Sequence, residues 1–137
     1  MKAEPPKSTD AAVLALTVVK GRLAVCQLDT GVEIPGWATV ESFFSVTRTE
    51  DELSIVCPEE RVPEVVTHEK GWHPLKLAGP FELSMVGILS SVAAPLARTG
   101  ASIFAVSTFD TDYVLLEEGQ LNIAVDTLRE RGHEVQG

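Results

Sequence analysis

The chain has few of the residues from which catalytic and metal sites are usually built: three histidines and two cysteines in 137 residues. Cys26 and Cys57 form no CxxC pair and each lies in an apolar stretch, so we expect buried, reduced thiols rather than a zinc site or a redox pair. His68, His73 and His133 lie in loop-like or terminal stretches and are expected at the surface. No GxSxG, P-loop, HExxH or GxGxxG motif occurs. The sequence therefore predicts no catalytic residue, metal or cofactor.

Basic residues are also scarce. Eleven Lys and Arg are scattered among twenty Asp and Glu, which gives a net charge of −9. Nucleic acids and anionic membranes bind clustered basic residues, so neither is predicted as a partner. The apolar run "AAVLALTVV" is far shorter than the roughly 20 residues of a membrane span, and no small-residue cleavage site follows it. We expect a cytoplasmic protein with a disordered tail over residues 1–10.

The apolar residues that are present follow two periods. Short β-rich runs, predicted as strands, occupy 13–19, 23–28, 43–47, 53–57, 75–77, 103–106 and 113–116. Apolar residues at helical spacing predict helices over 86–97 and 121–128, and "HEV" near residue 134 is expected to be an edge strand. From residue 75 the order is β-α-β-β-α-β, the ferredoxin-like order. The predicted fold class is α+β, with antiparallel sheets and the helices on one face.

An internal repeat predicts two units. "SVTRTEDELSIV" (45–56) aligns without gaps to "AVSTFDTDYVLL" (105–116) at a constant offset of 60 residues. The first copy has no counterpart of the helix at 86–97. We therefore expect a degenerate first unit over 11–70 and a complete second unit over 71–137.

Two segments of the second unit suggest a binding site. "SMVGIL", which contains Val86 and Gly87, opens a helix whose unpaired backbone N–H groups suit a carboxylate. "STFDTD" ends a strand and offers Asp112 to an ammonium group. Asp110 and Asp112 have other interpretations: Asx side chains that form the turn, an acid/base pair, or ligands of a divalent cation.

The second half resembles the ACT-domain family of small-molecule sensors, in its aspartate-kinase-like branch. The resemblance rests on "GILSSVAAPLARTGASIFAVSTFDTDYVLL", with its Gly-Ile helix start, "PLA" turn and Ser-Thr-Phe-x-x-Asp strand end. The whole chain, including "FFSVTRT" and "DELSIVCPEERVP", looks like small bacterial proteins built of two ACT units.

The resemblance implies a non-catalytic protein that binds an amino acid, or a similar small zwitterion, at an interface between ACT units of a homodimer. Gly87 and Ile88 match the helix-start loop of the family; Thr108, Phe109 and Asp112 match the segment that holds the ligand backbone. Asp110 matches no family role. The alternative is a protein-interaction module whose ligand site has decayed.

Overall fold

The computed structural model describes residues 14–78 and 87–137. Alternating burial shows why the β-rich runs become strands: Leu53, Ile55 and Cys57 point into one core, while Ser54 is only half-buried. Within these ranges there are eight strands: β1 (Ala15–Val18), β2 (Leu23–Leu28), β3 (Ser45–Arg48), β4 (Leu53–Pro58), β5 (Thr67–Leu77), β6 (Ile103–Ser107), β7 (Asp112–Glu117) and β8 (Glu134–Gln136). The same ranges contain two α-helices: α1 (Ile88–Arg98) and α2 (Leu121–Glu130).

The chain divides into two units. The inserted unit comprises residues 20–74, and the split unit comprises 14–19 together with 75–137. The sequence predicted a division into 11–70 and 71–137. The observed division differs because β1 pairs with the C-terminal end of β5 and with β8, which assigns residues 14–19 to the C-terminal half of the chain.

In the split unit, strand pairings link the strands in the order β6–β7–β5–β1–β8. The two helices carry apolar stripes, and both bury them against the strands. The core consists of Leu14, Leu16, Leu75, Leu77, Ile88, Val92, Leu96, Val114, Leu116, Ala124, Leu128 and Val135. Pro95 does not interrupt α1, which continues to Arg98.

In the inserted unit, the strand order is β3–β4–β2–β5, and every pair is antiparallel. Its own core consists of Ala24, Cys26, Ala38, Leu53, Ile55 and Cys57. Where the split unit has helices, the described chain of this unit has only short 3₁₀ turns, at Gly36–Thr39 and Glu59–Arg61. That this unit is a degenerate copy of an ACT unit stays a prediction.

The predicted α+β, ferredoxin-like class is confirmed, with two corrections to detail. The sheet is mixed, because β1 runs parallel to β8. Strand β5 spans 11 residues, whereas the sequence predicted a strand only over 75–77 and left "THEKGWH" unassigned. The sequence hid this strand because two adjacent exposed charged residues, Glu69 and Lys70, interrupt the alternation that is typical of a strand. Within the described residues, neither helix has the length of a membrane-spanning segment.

The repeat is real in the structure, but its offset is 59 residues, not 60. Thr49 and Thr108 occupy the same place in the two hairpins: each backbone N–H donates to the carbonyl three residues later, Thr49 to Glu52 (2.9 Å) and Thr108 to Thr111 (2.8 Å). The 3₁₀ turns that begin at residues 59 and 118 are also 59 apart. A one-residue slip in a strand exchanges its two faces, so the offset of 60 had paired inward with outward residues.

Candidate functional site

The end of the β6–β7 hairpin holds the carboxylate that the sequence singled out. Ser107 and Asp112 are the last cross-strand pair before the loop. The Ser107 hydroxyl donates to Asp112 Oδ1 at 2.5 Å. Among the described residues, no hydrogen bond or ion pair to the other oxygen, Oδ2, is found. Asp112 is half-buried. It thus presents an oriented carboxylate with one oxygen available to a cationic group.

The corrected repeat changes the interpretation of this acid. At an offset of 59, Asp110 corresponds to Asp51, whereas Asp112 corresponds to Leu53, a core residue. An acid that only shaped the turn would be expected in both hairpins, as Asp110 and Asp51 are. Asp112 is specific to the split unit, so turn formation does not account for it.

Thr108 shapes the loop itself. Its hydroxyl donates to the Thr111 carbonyl (3.1 Å) and accepts from the Thr111 backbone N–H (3.3 Å). These bonds engage the Thr108 hydroxyl within the turn, and the Thr108 backbone N–H is engaged there as well, with the Thr111 carbonyl. The equivalent Thr49 makes the same kind of bonds.

Thr111 anchors the loop to the neighbouring strand. Its side chain is buried, and its hydroxyl donates to the backbone carbonyl of Leu77, at the C-terminal end of β5. The sequence gave Thr111 no role in the site. The sequence carried one signal for it: Thr111 is a hydroxyl residue within an acidic loop, at the place where the first hairpin has the charged Glu52.

The start of α1 is the second part of the predicted site. Gly87 precedes the helix in the left-handed region (φ 84°, ψ 4°), and its carbonyl accepts from the Ser91 N–H at 2.9 Å. Among the described residues, no side chain caps this end. The Ile88 side chain is buried in the core. Val86 lies outside the described residues.

Thr108 and Asp112 lie at the same end of the β6–β7 hairpin. The hydrogen bond from Thr111 to Leu77 links this hairpin end to the end of β5. Among the described residues, no hydrogen bond joins this hairpin end to Gly87, and residues 79–86, which link the end of β5 to Gly87 along the chain, are not described. Phe109 is 77% exposed at the tip of the loop, and Asp110 is also exposed.

The histidines and cysteines do not form a competing site. His133 is buried, and its Nδ1 accepts from the Leu14 N–H (3.1 Å), which corrects the prediction of a surface histidine. Cys26 and Cys57 are both buried and free, as predicted. They share a core on adjacent strands, and a hydrogen bond with Cys57, together with burial, raises the pKa of Cys26. In the described ranges, no three His, Cys, Asp or Glu side chains converge on one point.

From β5 onward the split unit has the order β-α-β-β-α-β, so the fold is a ferredoxin-like α+β fold. The sequence profile of the ACT domain matches residues 67–130, and a separate N-terminal-domain profile matches residues 21–65, so the chain is an ACT-domain protein with a distinct N-terminal domain.

A solved structure of similar size supports this assignment. Protein Atu0741 from Agrobacterium tumefaciens is 39% identical, covers 91% of this chain and 94% of its own, and superposes with a TM-score of 0.86. The ligand-free regulatory subunit of aspartate kinase from Thermus thermophilus has the same fold at 11% identity (TM-score 0.59, 88% and 99% covered).

Among curated proteins, the chain is similar to cytosolic arginine sensor for mTORC1 subunit 1 from Bos taurus. The two are 30% identical over 97 residues, which cover 63% of this chain and 30% of the relative. The match thus spans less than a third of that relative's length.

Proposed function

We propose that this chain is a non-catalytic regulatory protein of the cytoplasm that binds a free amino acid at an interface between ACT units of two copies. The single observation that carries the proposal is the Asp112 carboxylate, held by Ser107 at 2.5 Å with Oδ2 available. A carboxylate in this position suits the ammonium group that all α-amino acids share.

The other end of a zwitterion needs hydrogen-bond donors. The first turn of α1 supplies backbone N–H groups, and within the described part of the chain its N-cap residue, Gly87, makes no side-chain cap hydrogen bond. The partial positive charge of a helix N-terminus favours a carboxylate there. Gly87, without a Cβ, lets a ligand approach the backbone closely. In this proposal, the ligand joins the hairpin end to the helix start, and Thr108, Phe109, Val86 and Ile88 complete the contacts.

The relatives supply independent support for the type of ligand. One is named a cytosolic arginine sensor, and a structure of the same fold is named a regulatory subunit of aspartate kinase. Both names describe regulation rather than catalysis.

Isothermal titration against the twenty amino acids tests the proposal, with protein refolded to remove any carried-over ligand. We expect at least one to bind. Asp112→Asn should weaken that binding by about 10- to 100-fold, because a hydrogen bond to a charged group contributes about 1.5–3 kcal/mol. Asp110→Asn, the same change on the exposed part of the loop, is the matched control. Light scattering shows whether the binding species is a dimer.

The exposed Phe109 ring favours one alternative, a protein-interaction module whose amino-acid site has decayed. The two functions differ in their response to Asp112→Asn. A decayed site predicts no heat with any amino acid and partner binding that survives this substitution.

A further inference from the structure

The inserted unit exposes four large apolar side chains on a single loop, residues 29–44. Val32, Ile34, Val40 and Phe44 are 38%, 49%, 58% and 44% exposed, and we call these four residues the loop surface. Single exposed apolar residues are common, but several concentrated in one short segment are characteristic of an interaction surface.

The loop is held in place, so this exposure is a property of the fold. The Arg48 guanidinium donates to the carbonyls of Thr30 and Val32, the latter at 2.8 Å. The Thr30 hydroxyl donates to the Thr49 carbonyl. Further along, Trp37 and Ala38 pack into the core of the inserted unit. The loop thus buries one set of apolar residues and presents another.

Negative charge predominates in the chain segment that carries the loop surface and in the strands that follow it. Between residues 29 and 52 the chain carries six acids and one base, Arg48. Both terminal nitrogens of Arg48 donate to loop carbonyls. One of the acids, Glu41, accepts a hydrogen bond of 2.9 Å from Nε of Arg61 through its Oε1. The remaining excess of negative charge would repel a second copy of this face, an anionic lipid surface and a nucleic acid.

We propose that the loop surface docks a segment of another protein in which basic residues flank apolar ones. The apolar side chains of that segment would cover Ile34, Val40 and their neighbours, and its lysines or arginines would face the surrounding acids. Charge complementarity of this kind mainly sets partner choice and association rate, and apolar burial supplies the affinity. The surface belongs to the inserted unit and involves none of the residues proposed to bind an amino acid.

Fluorescence anisotropy with a labelled peptide that alternates lysine and leucine tests the proposal on the full chain. Two comparison peptides separate the contributions: one replaces leucine with serine, and the other replaces lysine with glutamate. We expect the first to bind only weakly and the second not at all. Raising the salt concentration should weaken binding of the lysine-leucine peptide, because the flanking charges are exposed.

The double variant Ile34→Ser with Val40→Ser should bind the lysine-leucine peptide about tenfold more weakly, since two half-exposed apolar side chains are removed from the contact. The matched control is Val65→Ser with Ile123→Ser, which also removes two exposed apolar residues but from other places. Circular dichroism confirms that both variants fold. Equal affinities for the two variants would overturn the proposal, as would concentration-dependent self-association through the loop surface in light scattering.

Discussion

Replacing Thr111 with valine removes one hydroxyl and almost no volume, so it isolates the bond that anchors the β6–β7 loop to β5. The bond is buried, and its acceptor is the carbonyl of Leu77, a fully buried strand residue. Losing the bond costs about 1 kcal/mol, and a buried carbonyl left without its donor adds about 1 kcal/mol more. We therefore expect Thr111→Val to lower the free energy of unfolding by about 2 kcal/mol.

Urea unfolding followed by far-UV circular dichroism measures this loss. With a slope of about 2 kcal/mol per molar urea, the midpoint should fall by about 1 M. Thr17→Val, the same change at an exposed site on β1, should shift the stability by less than about 0.5 kcal/mol. If the two variants were equally stable, Thr111 would not anchor the loop, and its link to the candidate site would have to be abandoned.

A glycine substitution and a thiol-labelling experiment test two other parts of the structure. Gly87→Ala should destabilise the protein by about 1 kcal/mol, because residue 87 is left-handed (φ 84°) and a Cβ is disfavoured there. Gly119→Ala, with nothing within 4 Å of the added Cβ, should not destabilise it in the same melts, and equal effects would refute the argument. Cys26 and Cys57 should not react with a thiol reagent at pH 8 until urea unfolds the chain, because both are buried and the pKa of Cys26 is raised. Rapid labelling of the folded protein would contradict their burial.

Local patterns predicted most of the elements and the family. Leu53–Pro58 is a short apolar run, and Leu121–Glu130 carries a helical apolar stripe, so both elements were visible along the chain. The prediction failed in the first part of β5, where two adjacent exposed charged residues, Glu69 and Lys70, break the period of two. It also slipped by one residue in the repeat, because both offsets align apolar residues and only hydrogen bonds distinguish them.

The candidate site was only partly accessible from sequence. Asp112 could be identified from the strand-end motif, but its partner Ser107 and the anchor Thr111 depend on cross-strand register. The loop surface was not predicted, because "GVEIPGWATVESFF" does not show which apolar residues point inward. Contacts in three dimensions divide that segment into the buried Ala38 and the exposed Val40.

The sequence by itself determined most of the secondary structure, the ferredoxin-like order of the split unit and the ACT-domain assignment, since all three follow from patterns within short stretches of chain. Tertiary structure alone decided that residues 15–18 lie beside β5 and β8, that the hairpins repeat at 59 residues, and that the Asp112 carboxylate is oriented by a hydroxyl five residues away. The physical reason is that periodicity is set by each residue's own burial, whereas strand partners and register are set by the packing of residues distant in the chain.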